Sequence, residues 1–109
     1  MATAYKVLGQ IAPLATTATA IYTVPSATQA VVSSIAVCNR AGTAATFRLS
    51  VRPDGATLAN QHYLVYDAQV PANDTIILTI GVTLDAADVL EAYASSGDVT
   101  FQAYGSEIS

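Results

Sequence analysis

Few side chains in this chain could do chemistry, and their spacing decides what is possible. His62 is the only histidine and Cys38 the only cysteine. A catalytic histidine needs a nucleophile on one side and an orienting acid on the other. Serines and aspartates are plentiful, yet none stands in a Gly-x-Ser-x-Gly context, where a strained turn would present a serine. One histidine and one cysteine cannot build a zinc site in a single chain; only a three-fold assembly could gather three copies of His62 on its axis. His62 is therefore expected to be a half-exposed strand residue, and Cys38 a buried, inert thiol with no disulfide partner. Asp85, Asp88 and Glu91 recur at three-residue spacing. A calcium loop needs denser oxygen ligands and a glycine at its sharp turn, so these three read as a solvated loop. No catalytic residue, cofactor or metal site is expected, and the chain does not read as an enzyme.

The remaining chemistry is aromatic and cationic. There are six tyrosines, Tyr5, Tyr22, Tyr63, Tyr66, Tyr93 and Tyr104, against two phenylalanines and no tryptophan. Tyrosine offers area at small rotamer cost and keeps a polar tip, which suits a core rim, a protein interface or a sugar ring. The strong cations are Lys6, Arg40, Arg48 and Arg52 alone, and the net charge is -4. Nucleic-acid binding leaves a basic footprint that is missing here. Arg48 and Arg52 share a parity within "ATFRLSVR", so they should lie on one outward strand face, either to meet an acidic group of a partner chain or simply to be solvated. Arg48, Arg52, Tyr63, Tyr66 and Tyr93 are the candidate interface residues.

Positioning these groups falls to short strands. "ATFRLSVR" alternates Ala45, Phe47, Leu49 and Val51 inward against Thr46, Arg48, Ser50 and Arg52 outward, a strand pattern. "TAIYTV" places Ala20, Tyr22 and Val24 opposite Thr19, Ile21 and Thr23. "QAVVSSIAVCN" is apolar on both faces and reads as a central strand covered twice. "QHYLVYDAQV" is a strand of ambiguous facing. "DTIILTIGV" sets Ile76, Leu78, Ile80 and Val82 on one face. "VLEAYAS", "DVTFQAYG" and an opening "AYKVLGQ" supply the rest, while "TLDAAD" reads as a loop or one helical turn. Pro25, the "RPDG" turn and the "PAND" turn punctuate the series. The core should contain Phe47, Leu49, Val51, Ile76, Leu78 and Ile80. The expected fold is all-β, an antiparallel β-sandwich of jelly-roll or Ig-like type with about eight short strands. "MATA" and the closing "GSEIS" offer little to a core and read as mobile arms.

The 109 residues are expected to form a single domain, 1–109. Hydrophobic residues make up 52% and charged residues only 11%, where about 25% is usual. A surface so poor in charge is expected to be covered, by copies of the same chain or by a neighbouring protein. No leader pattern opens the sequence and no apolar run approaches the ~20 residues that span a bilayer, so synthesis and folding in a cytoplasm are expected.

The runs "IYTVPSATQAVVSSIAVCNRAGTAATFRLSVRP" and "HYLVYDAQVPANDTIILTIGVTLDAADVLEAYASSGDVTFQAYGSEIS" cover nearly the whole chain. They resemble small all-β structural proteins of tailed bacteriophages, in a cyanophage-like form. The pattern is Tyr-x-Val-Pro, a turn, an apolar strand ending near Asn, a Phe-bearing strand, then a strand after Pro-Ala-Asn-Asp/Gly-Thr. Here it falls on Tyr22, Val24, Pro25, Asn39, Phe47 and Pro71 to Thr75. The resemblance implies a virion protein without catalytic residues: a capsid decoration (cement) protein, or a tail, baseplate or fibre component with host-glycan recognition as the alternative. The implied partners are copies of itself, a trimer among the arrangements, and a major capsid or tail protein.

Overall fold

Short runs rich in β-branched and aromatic residues, divided by Pro, Gly, Asn and Asp, produce strands and turns and, among the described residues, no α-helix. A computed structural model describes residues 2–109. Its strands are β1 (Thr3–Ile11), β2 (Thr19–Thr23), β3 (Gln29–Asn39), β4 (Ala45–Arg52), β5 (Tyr63–Val70), β6 (Thr75–Leu78), β7 (Val82–Leu84), β8 (Val89–Ala94) and β9 (Val99–Ile108). Single 3-10 turns at Pro53–Gly55 and Asn60–His62 lie between β4 and β5.

The pairing has a simple scheme. β1 pairs with β9, β2 with β8, β3 with β6 and β7, and β4 with β5, all antiparallel. The chain thus runs out along β1 to β4 and returns along β5 to β9 as one long ribbon. Rolling the ribbon adds the lateral pairs β3–β9 and β4–β8. Two sheets result: a larger one ordered β1-β9-β3-β6, with β7 also on β3, and a smaller one ordered β2-β8-β4-β5. This nested order is that of a jelly roll; an Ig-like sandwich, with its two sheets in ABED and CFG order, would connect differently.

Phe47, Leu49, Val32, Ile35, Val37, Leu90, Val99 and Phe101 fill the space between the sheets, each essentially without exposure. The rings of Phe47 and Phe101 meet at 6.2 Å and 60°, a tilted arrangement that aromatic quadrupoles favour. Val51, Ile76 and Leu78 are half-buried and pack against this core. Ile80 does not: it is 47% exposed. The expected single strand "DTIILTIGV" breaks at residues 79–81, where Gly81 takes φ 58, so the described residues form nine strands and Ile80 turns outward.

Bulges explain the other departures. In β3 the pairing with β9 shifts between Val32 and Ser34. The inward set is therefore Ala30, Val32, Ile35, Val37 and Asn39, and β3 is covered on one face only, not two. Cys38 falls on the outer face and is half-buried, so the expectation of a buried thiol is corrected. In β2 a shift between Ala20 and Tyr22 turns both Ile21 and Tyr22 inward, in place of the alternation expected. An added residue on one strand does this without breaking the sheet.

From Ala2 onward the terminal segments are not free arms, while Met1 lies outside the described residues. Thr3 stands opposite Ile108 in the β1–β9 ladder. The Ala2 N–H donates to the Ser109 carbonyl at 2.8 Å, and the Ser109 N–H donates to the Ala2 carbonyl at 2.9 Å. Near that end of the sandwich the Tyr22 hydroxyl donates to Glu107 Oε2 at 2.5 Å, while Lys6 Nζ lies 2.9 Å from Glu107 Oε1. Burial, and then the adjacent Glu107 carboxylate, push the Tyr22 phenol well above its ordinary value. Hydrogen bonds from Tyr22 first and Lys6 second hold the Glu107 carboxyl below the usual range. Asn39, also buried, shares its amide N–H groups among the Thr43, Val70 and Pro71 carbonyls and accepts from the Ala41 N–H. It thereby ties the β3–β4 loop to the end of β5, satisfying polar groups that burial would otherwise leave unpaired.

Candidate functional site

All five candidate interface residues lie on the outer face of the smaller sheet, and four of them, Arg48, Tyr63, Tyr66 and Tyr93, form one cluster there. β4 presents Arg48, Ser50 and Arg52 there, and β8 presents Glu91 and Tyr93 opposite Ser50 and Arg48. β5 supplies Tyr63, Tyr66 and Asp67, and two bulges decide how. The pairing shifts once between Phe47 and Leu49 and again between Leu49 and Ser50. Asp67 sits in the left-handed region at φ 54, a conformation that Asp tolerates better than most residues. The extra residues send Val65, Ala68 and Val70 inward and leave Tyr66 and Asp67 on the same outer side, beside Arg48. The ambiguous facing of "QHYLVYDAQV" has this physical cause.

Arg48 is the hub. Its Nε donates to Asp67 Oδ1 at 2.7 Å and its Nη2 to Oδ2 at 3.3 Å, a bidentate pair. Its guanidinium carbon lies 4.2 Å from the Tyr66 ring centroid and 4.3 Å from that of Tyr93, within cation–π range of both. Tyr63 meets Tyr66 edge-on at 4.9 Å and 88°. The hydrogen bond to Asp67 holds Arg48 above its already high guanidinium value, so this charge is permanent.

Arg52 lies apart from the hub. Its Nη2 reaches Glu91 Oε1 at 3.3 Å, and its Nη1 donates to the Gly55 and Ala56 carbonyls at 3.2 and 3.0 Å. It clips the Pro53–Gly55 turn to the sheet, and its buried Nε has no acceptor. Both arginines do share the outer face of β4, but each already holds a carboxylate of its own chain.

Beside the hub lies a cleft of about 240 Å³. Arg48, Ser50, Leu58, Tyr63, Glu91 and Tyr93 line it, with Thr16 and Ala18 of the β1–β2 loop at its border. Ser50 is 3% and Glu91 9% exposed. Residue type and spacing do not mark Asp67, Ser50, Leu58 or Glu91 as members of this site. Only the two-residue parity of Ser50 with Arg48 and Arg52 signals any of them.

The remaining candidates do not converge on chemistry. His62 Nδ1 accepts the Ala59 N–H at 3.0 Å, so the histidine closes a turn ahead of β5 and is not part of a strand. Asp88 accepts the Asp54 and Asp85 N–H groups, both at 2.8 Å, and fixes the 85–88 turn, whereas Glu91 belongs to the cleft. Among the described residues no three His, Cys, Asp or Glu side chains group as metal ligands.

The outer face of the larger sheet is chemically opposite. Alternation and register place Thr3, Tyr5, Val7 and Gln10 of β1 outward beside Thr100, Gln102, Tyr104, Ser106 and Ile108 of β9. Gln29, Val31, Ser33, Ser34, Ala36 and Cys38 of β3 continue this face to Thr75 and Ile77 of β6 and Thr83 of β7. None of these outward residues is Asp, Glu, Lys or Arg. Tyr5 is 86% and Ile77 59% exposed. Gln102 accepts hydrogen bonds from the Gln10 amide at 3.0 Å and from the Tyr104 hydroxyl, so part of its polarity is spent within the face.

No protein-family model matches this chain, and no curated protein matches it in sequence.

Proposed function

We propose that this protein is a structural component of a tailed-bacteriophage virion, a decoration (cement) protein that binds the capsid and stabilises the shell. The observation that supports this reading is the charge-free outer face of the larger sheet. A face of four to five strands without one formal charge is unusual for a surface left in water. Interface centres are depleted of charge and enriched in tyrosine, and permanent interfaces are larger and more apolar than transient ones. The function is mechanical: exposed Tyr5, Val7 and Ile77 lose water on contact, and subunits are held together without chemistry. Copies of the same chain, in a trimer or a lattice, and a major capsid or tail protein are the partners. Synthesis takes place in the host cytoplasm and residence on the virion.

Quantitative mass spectrometry of purified particles tests the proposal. Hundreds of copies per particle support a shell or tail-tube position; a few copies move the protein to a fibre or baseplate; none removes it from the virion. On the recombinant protein, the double substitution Tyr5→Glu, Ile77→Glu should abolish particle binding with little change in melting temperature, because both side chains are exposed before binding. Undiminished binding would refute the assignment of this face.

A further inference from the structure

The cleft on the smaller sheet is built to receive something. Ser50 and Glu91 are more than nine-tenths buried, yet their polar capacity is not used up. Arg52 engages Glu91 Oε1 alone; among the described residues no hydrogen bond reaches Glu91 Oε2, the Ser50 hydroxyl, or the hydroxyls of Tyr63 and Tyr93. Arg52 Nε is the one side-chain polar atom among the described residues that is both sealed from the surface and unpaired. The free oxygens of Ser50 and Glu91 are therefore not sealed in, and both residues line the cleft. Polar groups held at a cleft in this way select ligands that can hydrogen-bond to them.

Electrostatics narrows the class. The two cations at the site are matched by two carboxylates, Arg48 with Asp67 and Arg52 with Glu91. A charge-balanced cleft gives little gain to a phosphate or a free cation. Leu58, Tyr63 and Tyr93 line the same cleft and supply its apolar surface. A fitting ligand is uncharged, carries several hydroxyls that both donate and accept, and has one apolar C–H face to lie on an aromatic ring. The small volume suits a single ring-sized group and not a drug-sized ligand.

We infer that this cleft binds a neutral pyranoside, with the sugar's C–H face on the tyrosines and its hydroxyls on Ser50 and Glu91. Tyr66 and Asp67 are positioning residues: they fix Arg48 and so hold the Tyr93 side of the cleft. Sugar binding of this kind needs only the smaller sheet and is independent of where the protein resides.

The test is an NMR titration of the isotope-labelled full chain with the methyl pyranosides of glucose, galactose, mannose and N-acetylglucosamine. For a single small cleft the expected dissociation constant is on the order of 1 mM. Saturable shifts should appear at the backbone amides of Ser50, Leu58, Glu91 and Tyr93 for at least one sugar, and not at Val31 or Thr83 on the other sheet. Ser50→Ala and Tyr93→Ala should each weaken that binding about tenfold or more. Both variants are checked for retained fold by the dispersion of their spectra, and Tyr93→Leu, which removes the ring but keeps apolar bulk, serves if Tyr93→Ala does not fold. Absence of saturable shifts with all four sugars would overturn the inference. So would binding unchanged in the Ser50 and Tyr93 variants, or shifts confined to the larger sheet.

Discussion

Tyr22→Phe isolates one bond that ties the two sheets together. Tyr22 is 8% exposed in β2 of the smaller sheet, and its hydroxyl donates at 2.5 Å to Glu107 in β9 of the larger one. Phenylalanine keeps the packed ring and removes only the donor. Hydrogen bonds to charged groups contribute about 1.5–3 kcal/mol net, and Glu107 keeps Lys6, itself half exposed, as its other partner. A loss of about 2 kcal/mol is expected. Unfolding entropy of about 2.1 cal/mol/K per residue, taken over 109 residues, converts this to a fall in Tm of about 9 °C. The pH dependence comes from the signs of the two shifts. Glu107 is held below its ordinary 4.5, so its stabilisation is present above that pH and fades as the pH falls through the depressed folded value. Tyr22 is held above its ordinary 10.0, so the wild type should lose stability as the pH rises beyond 10, and Tyr22→Phe should lose less. Thermal melts by circular dichroism between acid and alkaline pH measure both effects. A difference under about 0.5 kcal/mol at neutral pH, or one that does not change in acid, would refute this account of the bond.

Three further outcomes are expected. Phe47→Ala removes a ring packed on Phe101 in the core and should cost about 3–5 kcal/mol in denaturant melts. A Cβ at Gly105 would stand 1.9 Å from the Val31 carbonyl oxygen, while one at Gly42 would meet nothing within 4 Å; Gly105→Ala should therefore cost about 1–3 kcal/mol or more, and Gly42→Ala should be neutral or stabilising by the same melts. Deleting residues 106–109 removes Glu107 and the final pairs of β9 with β1 and β3, so the truncated chain should melt at least several degrees lower, where a dispensable arm would leave Tm unchanged.

Legibility in the sequence tracks distance along the chain. β4 can be read residue by residue because its own alternation is unbroken from Ala45 to Arg52 and its ladder with β8 has no shift. The fold class comes from strand length and turn chemistry, but the choice between jelly-roll and Ig-like order rests on which distant strands pair, and local pattern does not encode that. Parity fails at bulges. β2, β3 and β5 each take part in a ladder whose register shifts, and one added residue reverses the facing of every later residue in its strand. The two faces of β3 look equally buried in the sequence because Val, Ala and Cys fit either side of a sheet. Of the site, the tyrosines and Arg48 are visible by residue type, while Asp67 is not, since its place beside Arg48 depends on a backbone bulge at φ 54. The Tyr22–Glu107 bond joins residues 85 positions apart, and neither side chain announces the other.

The distribution of charge connects these findings. The described acidic and basic side chains lie at the rim, in turns, or on the smaller sheet, where Arg48 and Arg52 are neutralised within the chain. The larger sheet presents none outward. Surface ion pairs contribute little to stability, so the gain from pairing the arginines internally is not chiefly energetic. It lies in fixing the geometry of Tyr66 and Tyr93 around a rigid guanidinium, and in leaving no unmatched cation on that face to attract anions. Under the proposed function the opposite face, with no charge to be screened, should associate with a partner almost independently of salt, because the apolar and tyrosine contacts available there are not Coulombic. One fold thus separates a face suited to permanent packing from a face with an aromatic, charge-balanced cleft. The rolled ribbon makes this possible because the outward residues of its two sheets belong to different strands and can be composed independently.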